Sequence, residues 1–201
     1  MSVSTPPVVA VLAGGRGERL EGRKPSVMLA GRPLISYPLA AARAAGLDAI
    51  VVAKHDTVLP TLEERVIYDT ERSHHPLSGV LAALTAADSV IVVACDMPFI
   101  PPALLRYLAE QPGTTVVTRP GSFMQPFPAL YRATQVRALH ASLLTERSLQ
   151  ESIERLRPQI IDERDLKAFG PQVRIFYSVN TPADLRTAEG WLQTLDRTAS
   201  H

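Results

Sequence analysis

The chain reads as an α/β protein: a mostly parallel sheet with helices on both faces, in three α/β/α layers. Three observations predict this. Val8 to Ala13, Ala49 to Ala53 and Ser89 to Cys95 are nearly continuous apolar runs of strand length, as expected of strands buried on both faces. Segments with helical spacing of apolar residues follow such runs, as in Leu34, Ile35, Leu39 and Ala42. The first run breaks into Gly14, Gly15 and Gly17, and glycine allows a sharp turn and a close approach of backbone N–H groups to a ligand.

The remaining elements follow in order. Ser26 to Ala30 is a short strand-like piece closed by Gly31-Arg32-Pro33. Leu34 to Ala45 is a helix stopped by Gly46, and Pro38 inside it implies a kink or a late start. Val66 to Tyr68 is a strand ending at Asp69. Polar residues Thr70 to His75 lead through Pro76-Leu77-Ser78-Gly79 into a helix from Val80 to Ala87. Ser89 to Cys95 is the strongest strand and runs straight into Asp96-Met97-Pro98. Pro101 to Glu110 is a helix with proline in its first turn. Thr114 to Thr118 is a strand, Pro126 to Arg132 another, and Ala133 to Leu144 a helix. Ser148 and Glu151 have capping-box spacing and open a helix to Leu156. Gln159 to Ile161 and Val173 to Tyr177 are expected strands, and Thr181-Pro182-Ala183-Asp184 caps the last helix. The polar residues from Asp196 to His201 are expected to fray. No Gly/Ser/Pro-rich linker divides the 201 residues, so one domain is expected.

Composition excludes several classes. The 21 basic and 20 acidic residues leave a net charge of +1, against a broad nucleic-acid footprint. A single cysteine rules out an internal disulfide and a multi-cysteine zinc site, and suits a reducing cytoplasm. No basic residue precedes the short Val8 to Ala13 run, so neither a secretory signal nor a membrane span is expected.

Open α/β sheets bind ligands beyond the carboxyl ends of their strands. The ends here are Gly14-Gly15, Ala53-Lys54, Asp69, Asp96 and Ser178-Val179-Asn180. A phosphate-cradling loop, carboxylates and an amide suit a nucleotide with a divalent cation. Two phosphate motifs fail. The dinucleotide fingerprint finds Leu20 in its third glycine slot, and no acidic residue ends the second strand. The kinase-type loop finds Arg23 in its lysine slot, with Pro25 after Lys24.

A different signature matches. Leu12-Ala13-Gly14-Gly15, Gly17, Arg19 and Lys24 stand at the spacing of the opening motif of sugar-phosphate and cofactor nucleotidyltransferases. Pro76-Leu77-Ser78-Gly79, Ala94-Cys95-Asp96-Met97-Pro98-Phe99, Gln125-Pro126-Phe127-Pro128-Ala129-Leu130-Tyr131 and Val179-Asn180-Thr181-Pro182-Ala183-Asp184-Leu185 follow in order. Across nearly its whole length the chain resembles the molybdenum cofactor guanylyltransferase family. That resemblance implies a Rossmann-like fold of the nucleotide-diphospho-sugar-transferase type. It also implies attack by the terminal phosphate of a molybdopterin on the α-phosphorus of GTP, with pyrophosphate leaving and Mg²⁺ required. Under it, the nucleotide lies on Leu12, Ala13, Gly14, Gly15, Gly17, Lys24, Asp69 and Gly79, with Asp69 near the guanine. Arg19 and Lys24 neutralise phosphate charge, Asp96 holds Mg²⁺, and Asn180 faces the acceptor. The implied downstream partner is a cofactor-inserting chaperone or an apo-molybdoenzyme.

The chain departs from the family pattern in two places. The usual Arg-Met-Gly-x-Asp-Lys is here Arg19-Leu20-Glu21-Gly22-Arg23-Lys24, and Ala53-Lys54 stands where an asparagine is common. Plainer roles compete at each position. The glycines also make a tight turn, Asp96 also caps the following helix, and Asp69 and Asn180 also form turns. Asp184 is expected to be a helix-cap partner, Cys95 a small buried residue, and His55, His74, His75 and His140 structural or exposed. Arg119 and Arg132 are read as structural too. The competing functions are a cytidylyltransferase, a guanylyltransferase for another phosphorylated cofactor, and a nucleotide-binding module without turnover. The catalytic reading requires Asp96 to share one cleft with Gly15 and Lys24 and not to be buried away from solvent.

Overall fold

The computed structural model describes residues 5–15, 24–71, 75–145 and 148–199, the last four by their backbone alone. Gly17, Arg19 and the altered segment 21–23 lie outside the described residues, as does His74. In chain order the strands are β1 (Val8–Leu12), β2 (Met28–Leu29), β3 (Arg32–Pro33), β4 (Ala49–Ala53), β5 (Arg65–Tyr68), β6 (Ser89–Ala94), β7 (Thr115–Arg119), β8 (Gln125–Arg132) and β9 (Gln159–Asp162). The helices are α1 (Ser36–Ala44), α2 (Pro76–Leu84), α3 (Pro102–Ala109), α4 (Val136–Leu144), α5 (Leu149–Arg155), α6 (Glu163–Leu166), α7 (Gln172–Ile175) and α8 (Pro182–Ala199).

Seven strands form one sheet in the order β5-β4-β1-β6-β8-β7-β9, and β2 and β3 pair as a separate hairpin. The pairs β4–β5, β1–β4, β1–β6 and β7–β9 are parallel. Only β8 runs against its neighbours β6 and β7. Reversing twice restores direction, so β7 and β9 run the same way as β6. The carboxyl ends of β1, β4, β5, β6, β7 and β9 therefore share one edge. The chain builds β4 and β5 on one side of β1 before crossing to β6 on the other, which opens a crevice at that point.

The apolar runs explain the layers. Alternate residues of β1 go to opposite faces, Val9 and Val11 to one and Ala10 to the other. The first face packs on α1 through Leu39 and Ala42 and on α3 through Leu104, Leu105 and Leu108. The second packs on α2 through Leu77, Val80 and Leu84, on α4 through Leu139 and on α5 through Ile153. Val9, Ala10, Val11, Val90, Ile91, Val92 and Val93 are all fully buried. A buried Val or Ile side chain contributes about 1.5–3 kcal/mol, which makes β1 and β6 the firmest part of the sheet.

The expected elements are present with local corrections. The strand expected over Ser26 to Ala30 is a 3₁₀ turn over Lys24–Ser26 followed by the short β2. The α1 helix starts late, with Pro38 in its first turn, where a missing N–H costs nothing. The α2 helix begins a turn earlier than expected, taking in Pro76-Leu77-Ser78-Gly79, and ends at Leu84 rather than Ala87. Pro76 stands in its first turn, and the His75 ring nitrogen Nδ1 accepts from the Leu77 N–H at 3.2 Å. The strand expected over Val173 to Tyr177 is instead α7. There the Pro171 carbonyl accepts from the N–H groups of Arg174 and Ile175 at 2.9 and 3.1 Å. That turn buries Ile175 and leaves Val173 exposed, a pattern that alternation alone reads as a strand. The α8 backbone stays helical through Ala199, past the expected fraying point. Among the described residues no helix is long and apolar enough to cross a membrane.

Candidate active site

The carboxyl ends of β1, β4, β5 and β6 surround an open cleft. Its lining includes Leu12, Ala13, Gly14, Gly15, Lys24, Asp69, Gly79 and Asp96. Those are all the described residues expected at the nucleotide or the metal. The backbone ties the rim together. Ala13 N–H donates to the Val52 carbonyl at 2.8 Å, Asp69 N–H to Ala53 at 2.8 Å and Cys95 N–H to Leu12 at 3.0 Å. Neighbouring parallel strands thus end in register, and their next residues converge.

Close approach favours glycine at two points of the rim. A Cβ on Gly79 would lie 3.1 Å from Leu12 Cδ2, so Leu12 would have to give way for α2 to press as closely on β1. A Cβ on Gly14 would lie 3.2 Å from Lys54 Cγ.

One side of the cleft holds a charged cluster. Lys24 Nζ donates to Asp96 Oδ2, across 72 residues of sequence. It also donates to Asn180 Oδ1 at 2.6 Å. Ser178 Oγ donates to Asp96 Oδ2 at 2.5 Å, and Asn180 Nδ2 donates to Ser178 Oγ at 3.0 Å. The segment carrying Ser178 and Asn180 is docked by its backbone, since Val179 N–H donates to the Asp96 carbonyl at 2.9 Å. Beyond it, Asp184 accepts from the N–H groups of Asn180 and Thr181 at 2.9 and 2.8 Å. It is the cap partner its spacing implies. Those bonds, the one from Asn180 first, hold its carboxyl below the ordinary carboxylate range.

Asp96 is only 7% exposed, yet it lines the cleft. Its Oδ2 takes two donors, while Oδ1 is buried and has no partner among the described residues. An orphaned buried oxygen costs about 1–3 kcal/mol, so the site is stabilised by anything that ligates it. Among the described residues no three His, Cys, Asp or Glu side chains cluster to hold a metal by themselves. One carboxylate oxygen beside Gly14 and Gly15 fits Mg²⁺, which takes one or two carboxylates and completes its shell with phosphate and water. It would not fit a structural metal with an all-protein shell.

The other side holds a second ion pair, of which sequence reasoning placed Asp69 in the site and left out Lys54. Lys54 Nζ lies 2.8 Å from Asp69 Oδ2 and also donates to the Glu71 carbonyl. Ser78 Oγ lies 2.6 Å from the same Asp69 oxygen, and Glu71 N–H donates to Asp69 Oδ1 at 3.0 Å. The carboxylate of Asp69 therefore holds the ends of β4, β5 and α2 together as well as lining the cleft. The signal for Lys54 was its place directly after an all-apolar strand. Ser178 and Ser78 stand in segments that the sequence singled out, but only the packing brings them to the carboxylates.

Cys95 also lines the cleft, but burial and the neighbouring Asp96 charge push its thiol up to about 12. A thiol so rarely ionised is no nucleophile at neutral pH. His75 caps α2, and His55 stacks on Tyr68 with ring centroids 4.4 Å apart. Arg132 spans the carbonyls of Gly113 and Gln111 at 3.0 and 2.8 Å, a structural role.

Comparison with known proteins finds relatives along most of the chain. A family model described as MobA-like NTP transferase domain matches residues 9–160. A probable molybdenum cofactor guanylyltransferase of Pelotomaculum thermopropionicum is 32% identical over 197 residues, covering 90% of this chain and 96% of its own. The crystal structure of molybdopterin-guanine dinucleotide biosynthesis protein A from Archaeoglobus fulgidus superposes with a TM-score of 0.81 at 27% identity, covering 93% of this chain and 99% of that one. The crystal structure of 2-C-methyl-D-erythritol 4-phosphate cytidylyltransferase from Thermus thermophilus superposes with a TM-score of 0.69 at 18% identity, over 94% of this chain and 100% of that one. That last likeness is one of fold.

Proposed function

This chain belongs to the MobA-like NTP transferase family, a family of nucleotidyltransferases, and from that premise we propose that it moves GMP from GTP onto the terminal phosphate of a molybdenum-bearing molybdopterin. An oxygen of the acceptor phosphate bonds to the α-phosphorus of GTP. The bond from that phosphorus to the bridging oxygen breaks, and pyrophosphate leaves with the electron pair.

The single observation that carries this reading is the meeting of Lys24 and Asp96 in one cleft beside the Gly14–Gly15 turn. Nucleotidyl transfer needs positioning and charge neutralisation more than a protein nucleophile, and the raised thiol of Cys95 agrees. The backbone at Gly14 and Gly15, with Gly17, holds the nucleotide phosphates. Lys24 and Arg19 neutralise charge on the α-phosphate and the leaving group. Asp96 would hold Mg²⁺, its Oδ1 being the oxygen that finds no partner among the described residues. The ion supplies Lewis-acid neutralisation of phosphate oxygens. Asp69 sits at the base end of the cleft, across from Asp96, and Asn180 faces the acceptor. The whole chain acts as one nucleotidyltransferase domain. A cofactor-inserting chaperone or an apo-molybdoenzyme takes the product. A cytoplasmic place of action follows from the substrate and suits the lone buried thiol.

The test measures pyrophosphate release with purified protein, Mg²⁺ and molybdopterin, from GTP and in parallel from CTP. Release with GTP is expected, falling about 100-fold or more in Asp96→Asn while GTP still binds without metal. Release with CTP instead would make the chain a cytidylyltransferase. Binding of GTP with no release under any condition would make it a module without turnover.

A further inference from the structure

Ser178 has no place in the reading above, yet it completes a closed polar ring. Lys24 Nζ donates to Asp96 Oδ2 and to Asn180 Oδ1, Asn180 Nδ2 donates to Ser178 Oγ, and Ser178 Oγ donates to Asp96 Oδ2. An amide nitrogen only donates. Ser178 Oγ is therefore the acceptor at 3.0 Å from Asn180, and its own proton is directed at Asp96, 2.5 Å away. Between them Lys24 and Ser178 occupy Oδ2 from two sides and leave Oδ1 without a partner among the described residues.

We propose that Ser178 is a positioning residue that makes Asp96 a one-oxygen ligand and thereby selects a small, octahedral divalent cation over a larger one. The proposal rests on the nucleotidyl-transfer reading of the cleft. A carboxylate with both oxygens available grips Ca²⁺ in bidentate fashion, within a shell of six to eight oxygens, whereas Mg²⁺ takes single oxygens in a strict octahedron. Holding Oδ2 denies the bidentate grip. Groups that orient a metal ligand commonly change metal affinity by about 10–100-fold when removed. The arrangement is separable from the fold, because the segment is also docked by the Val179 N–H on the Asp96 carbonyl and by Asp184 on the N–H groups of Asn180 and Thr181.

The test uses the full chain, with Ser178→Ala and Ser178→Thr, and no acceptor. Water-proton relaxation reports Mn²⁺ bound to the protein in the presence of GTP, and in a parallel arm of CTP. Mg²⁺ and Ca²⁺ are then titrated in to displace it. In the wild type, Mg²⁺ is expected to displace Mn²⁺ more effectively than Ca²⁺. In Ser178→Ala the ratio is expected to move toward Ca²⁺ by about tenfold or more, at unchanged circular dichroism. Ser178→Thr keeps the hydroxyl and is expected to track the wild type. The proposal is overturned by an unchanged ratio in Ser178→Ala, by a threonine variant that behaves like the alanine one, or by absence of bound Mn²⁺ with both nucleotides. A signal with CTP alone would remove the guanine assignment, while the ratio in that arm would still decide for or against Ser178.

Discussion

Asp184 shows how one side chain fixes the geometry of a site it does not enter. It accepts from the N–H groups of Asn180 and Thr181 and so sets the turn that carries Asn180 to Lys24. Its folded-state pKa lies below its ordinary value. Its contribution to stability is therefore present above the unfolded pKa, about 3.9, and is lost as the pH falls through the folded value. Asp184→Asn is expected to melt below the wild type at pH 7, and the gap is expected to close below about pH 4. Melting curves across that range check it. Spacing alone placed Asp184 in the cap, because an N-cap and its third residue are local. Nothing local pointed to Lys54 as the counter-ion of Asp69, or to Ser178 as a donor to Asp96, because those partners meet only after the strands align.

At the scale of elements, the fit of α2 against β1 decides the shape of the cleft. The expected helix over residues 80–87 begins instead at Pro76, since a proline in the first turn and the His75 side chain stabilise an earlier start. That shift brings Ser78 to Asp69 and Gly79 to Leu12. Gly79→Val would set a branched side chain against Leu12 from 3.1 Å. It is expected to cost about 1–3 kcal/mol by denaturant unfolding and to weaken nucleotide binding by displacing α2. The α7 segment teaches the opposite lesson. Its Val, Ile and Phe residues have strand propensity, but the segment lies where the Pro171 carbonyl can close a helical turn.

At the scale of the molecule, burial grades outward from the middle of the sheet. β1 and β6 have fully buried centres, whereas edge β9 buries one residue in four and edge β5 leaves Arg65 and Tyr68 exposed. Amide hydrogen exchange is expected to be slowest in β1 and β6 and to reach the edge strands first. Exchange that was faster in β6 than in β9 would contradict the assignment of the core. The cleft then lies at the carboxyl edge of the most stable strands. That is how a rigid scaffold holds charged side chains that would otherwise repel or relax.

The layered α/β plan was legible in the residues alone, because doubly buried strands must be apolar at every position and their spacing leaves room only for crossover helices. The place of Gly14 and Gly15 directly after β1, and of Asp96 at the end of the most apolar strand, was legible for the same reason. Which side chains meet was decided by the tertiary structure. The β1–β6 pairing brings Asp96 beside the residues that follow β1, and the docking of Val179 on Asp96 adds Ser178 and Asn180. Partners so far apart in the chain leave no local pattern, since their attraction exists only once the sheet has brought them within hydrogen-bond reach.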